Sequence, residues 1–319
     1  MRPTTARCSP CSAKFLVGKQ MDGELDTRSG FVAFAGRPNA GKSTLINSIV
    51  GHKIAIVSDK PQTTRRAIRG IANGPDWQLI LVDLPGVQRP RDSLTERMAH
   101  RVQRELAECD GVLVVFNGQQ GVGGPGDRFI AESLADSSAP VVVAVNKIDR
   151  LSHTALVEAL QAASELLPGS EVFPISARKG TGVAELTEHL VGSLPLGPRY
   201  YPIEDHTDLS DAVLFAELIR EQVLRRTREE IPHAIEVAIS EIENPRDGLM
   251  IVRGHIWVET ESQKGIVIGS AGKMIREIGT AARRSLEEEV ESKVHLEISV
   301  RVRKRWRTDD GLLDRLGID

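Results

Sequence analysis

Gly36-Arg37-Pro38-Asn39-Ala40-Gly41-Lys42-Ser43 decides the fold of the first half of this chain. It lies between an apolar run, Phe31 to Ala35, and a helical pattern carried by Thr44, Leu45, Ile46, Ile49 and Val50. A glycine-rich loop between a strand and a helix turns its backbone N–H groups inward around anionic oxygens, and the helix adds its positive end. Gly36 and Gly41 permit the bend. Lys42 would reach the β- and γ-phosphates and the Ser43 hydroxyl would ligate magnesium, so residues 36 to 44 are the predicted seat of a nucleoside triphosphate.

Downstream, short apolar runs alternate with helical patterns: Leu79 to Val82, Val112 to Phe116, Val141 to Val145 and Val172 to Ile175 are the runs. Runs without polar interruption belong to strands buried on both faces. They predict an α/β domain with a mostly parallel sheet and helices on both faces, a P-loop domain over 30–195. The prolines of Pro195-Leu196-Gly197-Pro198-Arg199-Tyr200-Tyr201-Pro202 stop the last helix and stiffen a linker over 196–210. Beyond it the order changes to helix, strand, strand, helix, helix, strand over 211–307, an α+β domain, with a tail at 308–319. Residues 1–29 lack periodicity and read as a disordered extension, in which Cys8 and Cys11 are two free thiols. No apolar stretch of the sequence approaches the ~18 residues that span a bilayer, and the start of the chain lacks a signal-peptide pattern, so a cytoplasmic protein is expected. Net charge is −3 over 319 residues, and any nucleic-acid surface must therefore be local.

Two strand-end motifs specify the nucleotide. In Asp83-Leu84-Pro85-Gly86 the carboxylate can hold magnesium through a water, and the Gly86 N–H can sense a γ-phosphate. In Asn146-Lys147-Ile148-Asp149 an ionised Asp149 can accept both the N1–H and the exocyclic amino group of guanine, a pair of donors that adenine lacks. Asn146 and Lys147 would buttress that loop. Ser176-Ala177-Arg178, after the next apolar run, would offer the Ala177 N–H to the guanine O6.

With these motifs in this order the chain resembles the Ras-like GTPases, and more narrowly the bacterial Era family. Ser58-Asp59-Lys60-Pro61-Gln62-Thr63-Thr64-Arg65 looks like that family's first switch, and the resemblance covers about residues 30 to 307. It implies GTP hydrolysis with Mg2+, GTP as substrate and GDP as product. Lys42, Thr64 and Gly86 would be the catalytic groups; Ser43, Thr64 and Asp83 would be the magnesium set, with Thr63 the alternative to Thr64. The residue after Asp-x-x-Gly is often a glutamine that orients the attacking water. Here it is Val87, which cannot hydrogen-bond through its side chain, so slow intrinsic hydrolysis is expected. Leu84 also departs from a common threonine, at a position where the backbone matters.

Gly269-Ser270-Ala271-Gly272 follows Ile266-Val267-Ile268 and opens a helix marked by Ile275, Ile278, Ala282, Leu286 and Val290. This is the Gly-x-x-Gly loop of a KH domain, where small residues let a nucleic-acid backbone approach a helix start. The α-β-β-α-α-β order resembles the type II arrangement. Residues 264–307 hold 11 Lys and Arg against 6 Asp and Glu, a local surplus of five in an acidic chain. The predicted RNA contacts are Lys264, Gly269, Ser270, Ala271, Gly272, Lys273, Arg276, Arg303, Lys304 and Arg305, and Trp306 is expected to be a packing anchor. The loop lacks the basic residue many relatives carry, which shifts affinity toward Lys273, Arg276 and the strand-end cluster. The family resemblance further implies a monomer that binds the 3′ end of 16S ribosomal RNA and acts on the 30S ribosomal subunit. It also leaves open a peripheral association with the inner face of the cell membrane. A GTPase with a large-subunit or transfer-RNA target is the alternative.

Overall fold

The structure, a computed structural model, describes residues 27–57, 65, 67–84, 93–135, 139–227, 231–309, 311 and 313. Thr63, Thr64, Pro85, Gly86 and Val87 lie outside them. The apolar runs become strands that are covered on both sides: β1 (Arg28–Ala35), β3 (Trp77–Asp83), β4 (Gly111–Asn117), β5 (Val141–Asn146) and β6 (Val172–Pro174). The sheet order is β2-β3-β1-β4-β5-β6, parallel throughout except for β2 (Ile68–Asn73), which pairs antiparallel with β3. β1 therefore has β3 on one side and β4 on the other, and the crevice beyond its carboxyl end is the topological switch point. One face is covered by α1 (Lys42–Val50) and α5 (Val183–Gly192), through Leu45, Ile46, Leu186 and Leu190. The other is covered by α3 (Pro125–Ser133) and α4 (His153–Leu166), through Ile130, Ala159 and Ala163, and by Val102 of α2 (Ser93–Glu108).

Two boundaries differ from the sequence reading. β1 begins at Arg28, inside the segment expected as an extension, because Arg28 pairs with Trp77 and its guanidinium bonds the Leu194 carbonyl at 2.6 Å. β2 escapes the search for apolar runs because Arg69, Gly70 and Asn73 interrupt it. Gly70 is required there, since a Cβ would lie 2.9 Å from Ile46 of α1. The linker packs along the sheet edge: Gln78 Oε1 accepts from the Tyr200 and Tyr201 amides at 2.7 and 3.0 Å, and Thr207 bridges to Gly70.

The second domain has α6 (Asp211–Arg226), α7 (Ile231–Ala234), β7 (Glu236–Arg246), β8 (Leu249–Val258), α8 (Glu261–Ile268), α9 (Lys273–Val290) and β9 (Lys293–Val302). β7 and β8 are antiparallel, β8 and β9 parallel, and β9 is an edge. Along β9, Val294, Leu296, Ile298, Val300 and Val302 pack into the core shared with α6 and α9, as the alternation predicts. α6 is buried all round from Leu214 to Leu224, Glu217, Arg220 and Glu221 included. A helix with that profile sits inside the molecule, and its charges must be paired. Arg220 indeed bonds Glu217 one turn away. Trp306 is fully buried, with Nε1 donating to the Ala234 carbonyl at 2.8 Å, so it is the expected packing anchor.

Candidate functional site

The loop after β1 has the shape the glycines predict. A Cβ at Gly36 would lie 2.6 Å from the Val115 carbonyl, and Gly41, at φ 100°, caps α1 in the left-handed region. Asn39 also takes positive φ, which asparagine tolerates. Lys42 is buried with its ammonium folded onto the loop, 3.0 Å from the Gly36 carbonyl and 3.4 Å from that of Arg37. Burial pushes its pKa down and Asp83 pulls it back up. An ammonium held on carbonyl oxygens above a ring of amides can exchange those carbonyls for phosphate oxygens.

Ser43 Oγ donates to Asp83 Oδ2 at 2.7 Å, and Asp83 is fully buried. A hydroxyl and a carboxylate brought together at the head of α1 are the hard oxygen donors that suit Mg2+. These two residues fit the ion that sequence assigned to them. The Leu84 side chain is fully buried with Ala33, Val82 and Val102 of α2, which leaves its backbone for a ligand, the role expected of it.

The base-reading loop is fastened to the phosphate loop. Asn146 Nδ2 donates to the Ala40 carbonyl at 2.9 Å, and its Oδ1 accepts from the Lys147 amide at 2.7 Å and the Ala177 amide at 3.0 Å. The Ala177 amide assigned to guanine O6 is thus held by Asn146 in this structure. Lys147, left-handed at φ 68°, bonds the Asn39 carbonyl at 2.8 Å. Asp149 is exposed, and Ser176 Oγ donates to its Oδ1 at 2.7 Å. That bond holds the Asp149 carboxyl below the usual carboxylate range and keeps it an acceptor. Arg178 is exposed beside it.

Sequence reasoning missed the partner of Arg37. Its Nε pairs with the buried Asp127 of α3 at 2.7 Å, and its Nη2 donates to the Gly121 carbonyl at 3.1 Å. The pair is far apart in sequence, and no local pattern announces it. Asn117, at the end of β4, donates to the Asn39 carbonyl at 3.2 Å and was equally invisible.

In the second domain Gly269 and Gly272 take φ of 73° and 74°, and a Cβ at Gly269 would lie 2.7 Å from that of Met274. Ser270, Ala271, Lys273 and Arg276 line the exposed side of this turn, and Arg276 reaches back to the Ala271 carbonyl at 2.9 Å. A groove of about 790 Å³ lies between Ile275, Arg276 and Gly279 of α9 and residues 295–299 of β9, with Arg253 and His255 of β8 also lining it, and among the described residues β9 pairs with no strand beyond β8. Lys264 is half-buried on α8. Lys304 and Arg305 are exposed, whereas Arg303 is engaged over the Trp257 ring at 5.0 Å and near Asp309 at 3.7 Å.

A family model described as a 50S ribosome-binding GTPase matches residues 31–147, and a KH-domain model matches residues 230–307. A GTPase Era of Mycobacterium sp. (strain KMS) is 45% identical over 296 residues, covering 91% of this chain and 98% of its own. One from Heliobacterium modesticaldum is 41% identical, covering 92% and 97%. The chain belongs to the Era family of GTPases. Era from Aquifex aeolicus, solved as a point variant bound to GDP–AlF4−, superposes with a TM-score of 0.87 at 34% identity, over 92% of this chain and 99% of that one. An Era solved with MgGDPNP and nucleotides 1506–1542 of 16S ribosomal RNA matches equally well, at 35% identity and the same coverage. As an Era-family enzyme the chain hydrolyses GTP to GDP and phosphate with Mg2+.

Proposed function

We propose that this Era-family GTPase binds small-subunit ribosomal RNA near the 3′ end of 16S through its KH groove and times a step of 30S subunit assembly by hydrolysing GTP. The observation that carries the proposal is the groove itself, lined by Arg276 and Arg283 of α9 and by residues 295–299 of β9, on the helix that the Gly-x-x-Gly loop with its two positive-φ glycines opens. Backbone approach at the loop and basic contacts to phosphate are how a KH domain holds single-stranded RNA. The Era solved with a 16S fragment supports the choice of RNA. The description of the GTPase-domain model names the 50S subunit instead, so a large-subunit target is the competing reading.

Within the GTPase domain, Lys42 holds the β- and γ-phosphates and neutralises charge that develops as water attacks. Ser43, and Asp83 through a water, would hold magnesium, which when bound would share the charge of the same phosphates. Asp149, oriented by Ser176, accepts from guanine. Thr64 as the second magnesium hydroxyl and Gly86 as the γ-phosphate sensor keep their assignment from sequence, outside the described residues. Val87 lacks a water-orienting group, which supports slow turnover on the free protein.

Two binding experiments test this. Labelled GDP should be displaced by GTP and not by ATP. The full-length protein with GDPNP should bind an RNA of the 16S 3′-terminal sequence in preference to a shuffled one and to large-subunit fragments. Equal displacement by ATP would remove the guanine assignment, and a preference for large-subunit RNA would favour the competing reading.

A further inference from the structure

The expected first switch, residues 58–65, follows Val57 and ends at Arg65, and both of these residues are fastened to the KH half of the molecule. The Val57 amide donates to Glu221 Oε1 at 3.1 Å, and Lys53 pairs with the same carboxylate. Glu221 belongs to α6 and is fully buried. On the other flank Arg65 is 2% exposed. Its guanidinium donates to Glu236 Oε2 at 2.9 Å, to the Ile235 carbonyl and to the Pro232 carbonyl at 3.1 Å, and lies 5.3 Å from the Trp306 ring centre. The short turn that Trp306 opens also packs against α2, the helix that follows Asp83-Leu84-Pro85-Gly86 in sequence.

A guanidinium buried this deeply is costly. Burial pushes the Arg65 pKa down to about 10, with Glu236 opposing it, so the group stays charged at neutral pH. Buried ion pairs are poor sources of stability compared with apolar packing, and their best-attested use is to fix one arrangement against alternatives. Here the arrangement fixed is that of the GTPase domain against α7 and the start of β7.

We propose that the Arg65–Glu236 pair, with the Glu221 anchor at Val57, transmits the nucleotide state to the RNA-binding domain. The inference rests on the reading of Thr64 as a magnesium ligand and of the KH groove as the RNA site. Arg65 is one peptide bond from Thr64 in the sequence. A backbone shift at Thr64 either breaks three hydrogen bonds at the guanidinium or carries α7 and β7 with it. β7 pairs with β8 and β8 with β9, whose edge forms one wall of the groove. Arg65 is a positioning residue in this scheme; it acts through Glu236.

The test is the ratio of affinities for the 16S 3′-terminal RNA measured with saturating GDPNP and with saturating GDP, on the full-length protein. Wild type should show a ratio in the ~5–150-fold range typical of coupled sites. Arg65→Met and Glu236→Gln should each bring it to within about twofold of unity, and Arg65→Lys should fall between, as expected when a three-acceptor fork is replaced by a single ammonium. Glu221→Gln, which keeps the shape of the buried side chain, reads the second anchor should Arg65→Met fail to fold, and should also lower the ratio. A purely structural role would reduce affinity equally in both nucleotide states and leave the ratio intact, and that result overturns the inference while sparing the RNA assignment. A ratio near unity in the wild type would instead remove the switch reading on which the inference rests.

Discussion

At the scale of single residues, Asp149 and Lys42 carry the nucleotide site, and each has a measurable consequence. The Ser176 hydroxyl depresses the Asp149 pKa. Guanine affinity that needs the ionised carboxylate is therefore present at higher pH and lost only as pH falls through that depressed value. Ser176→Ala removes the donor and lets the pKa return toward ~3.9, so the acid limb of GDP affinity should move to higher pH while affinity at neutral pH changes little. GDP titrations across an acidic pH series read this directly, and superimposable limbs would contradict it. Lys42→Ala should lower GTP affinity by on the order of 100-fold, the loss expected for a charge-assisted bond of about 2–3 kcal/mol, with the KH domain still folded by circular dichroism. Retained affinity would remove the loop's role. The residues of this site were legible because a phosphate loop and a base-reading loop are fixed local spacings. What escaped was long-range: Asp127 behind Arg37, Asn117 behind Asn39, and the engagement of Ala177 by Asn146. Each is a contact between segments 31 or more residues apart in sequence.

At the scale of elements, the Gly269–Gly272 turn shows how backbone conformation sets function. α8 begins with a full capping box, Thr260 with Gln263, and ends at Gly269, while Gly272 caps α9. Two helices are thereby joined through a short turn in which Gly269 leaves no room for a Cβ. Gly269→Ala forces a Cβ against Met274 at φ 73° and ψ 172°, a backbone region essentially confined to glycine whose strain costs roughly 1–3 kcal/mol. It should lower the unfolding midpoint of the KH domain and weaken RNA binding together, read by thermal unfolding and filter binding. An unchanged midpoint would show that the turn relaxes freely. Alternation made β9 readable and apolar runs made β1, β3, β4, β5 and β6 readable, because sheet burial prints those two patterns on sequence. β2 prints neither. It is an antiparallel edge strand closed off by the linker at Thr207, and its identity depends on that tertiary contact.

At the scale of the whole molecule, an acidic chain gathers a local surplus of basic residues over 264–307 and keeps its triphosphate site on the other domain, and the two domains are joined through buried carboxylates on α6 and β7. That joint was not legible: nothing local in the sequence sets Glu217, Arg220 and Glu221 apart, and only the fold shows them enclosed. The two-domain plan, by contrast, followed from the prolines after Leu194 and the change of element order. Whether GTP occupancy and ribosomal RNA meet on this chain is decided by crosslinking the full-length protein to small ribosomal subunits with GDPNP bound and mapping the RNA, in wild type and in Gly272→Asp. Gly272 has φ 74°, which aspartate tolerates, and no atom closer than 4.0 Å to a new Cβ, so the variant should fold and place a carboxylate against phosphate. Wild-type crosslinks are expected at the 3′ end of 16S ribosomal RNA, and they should disappear in Gly272→Asp. Crosslinks elsewhere, or crosslinks at that end that survive the substitution, would refute the pairing of a GTP switch with this RNA.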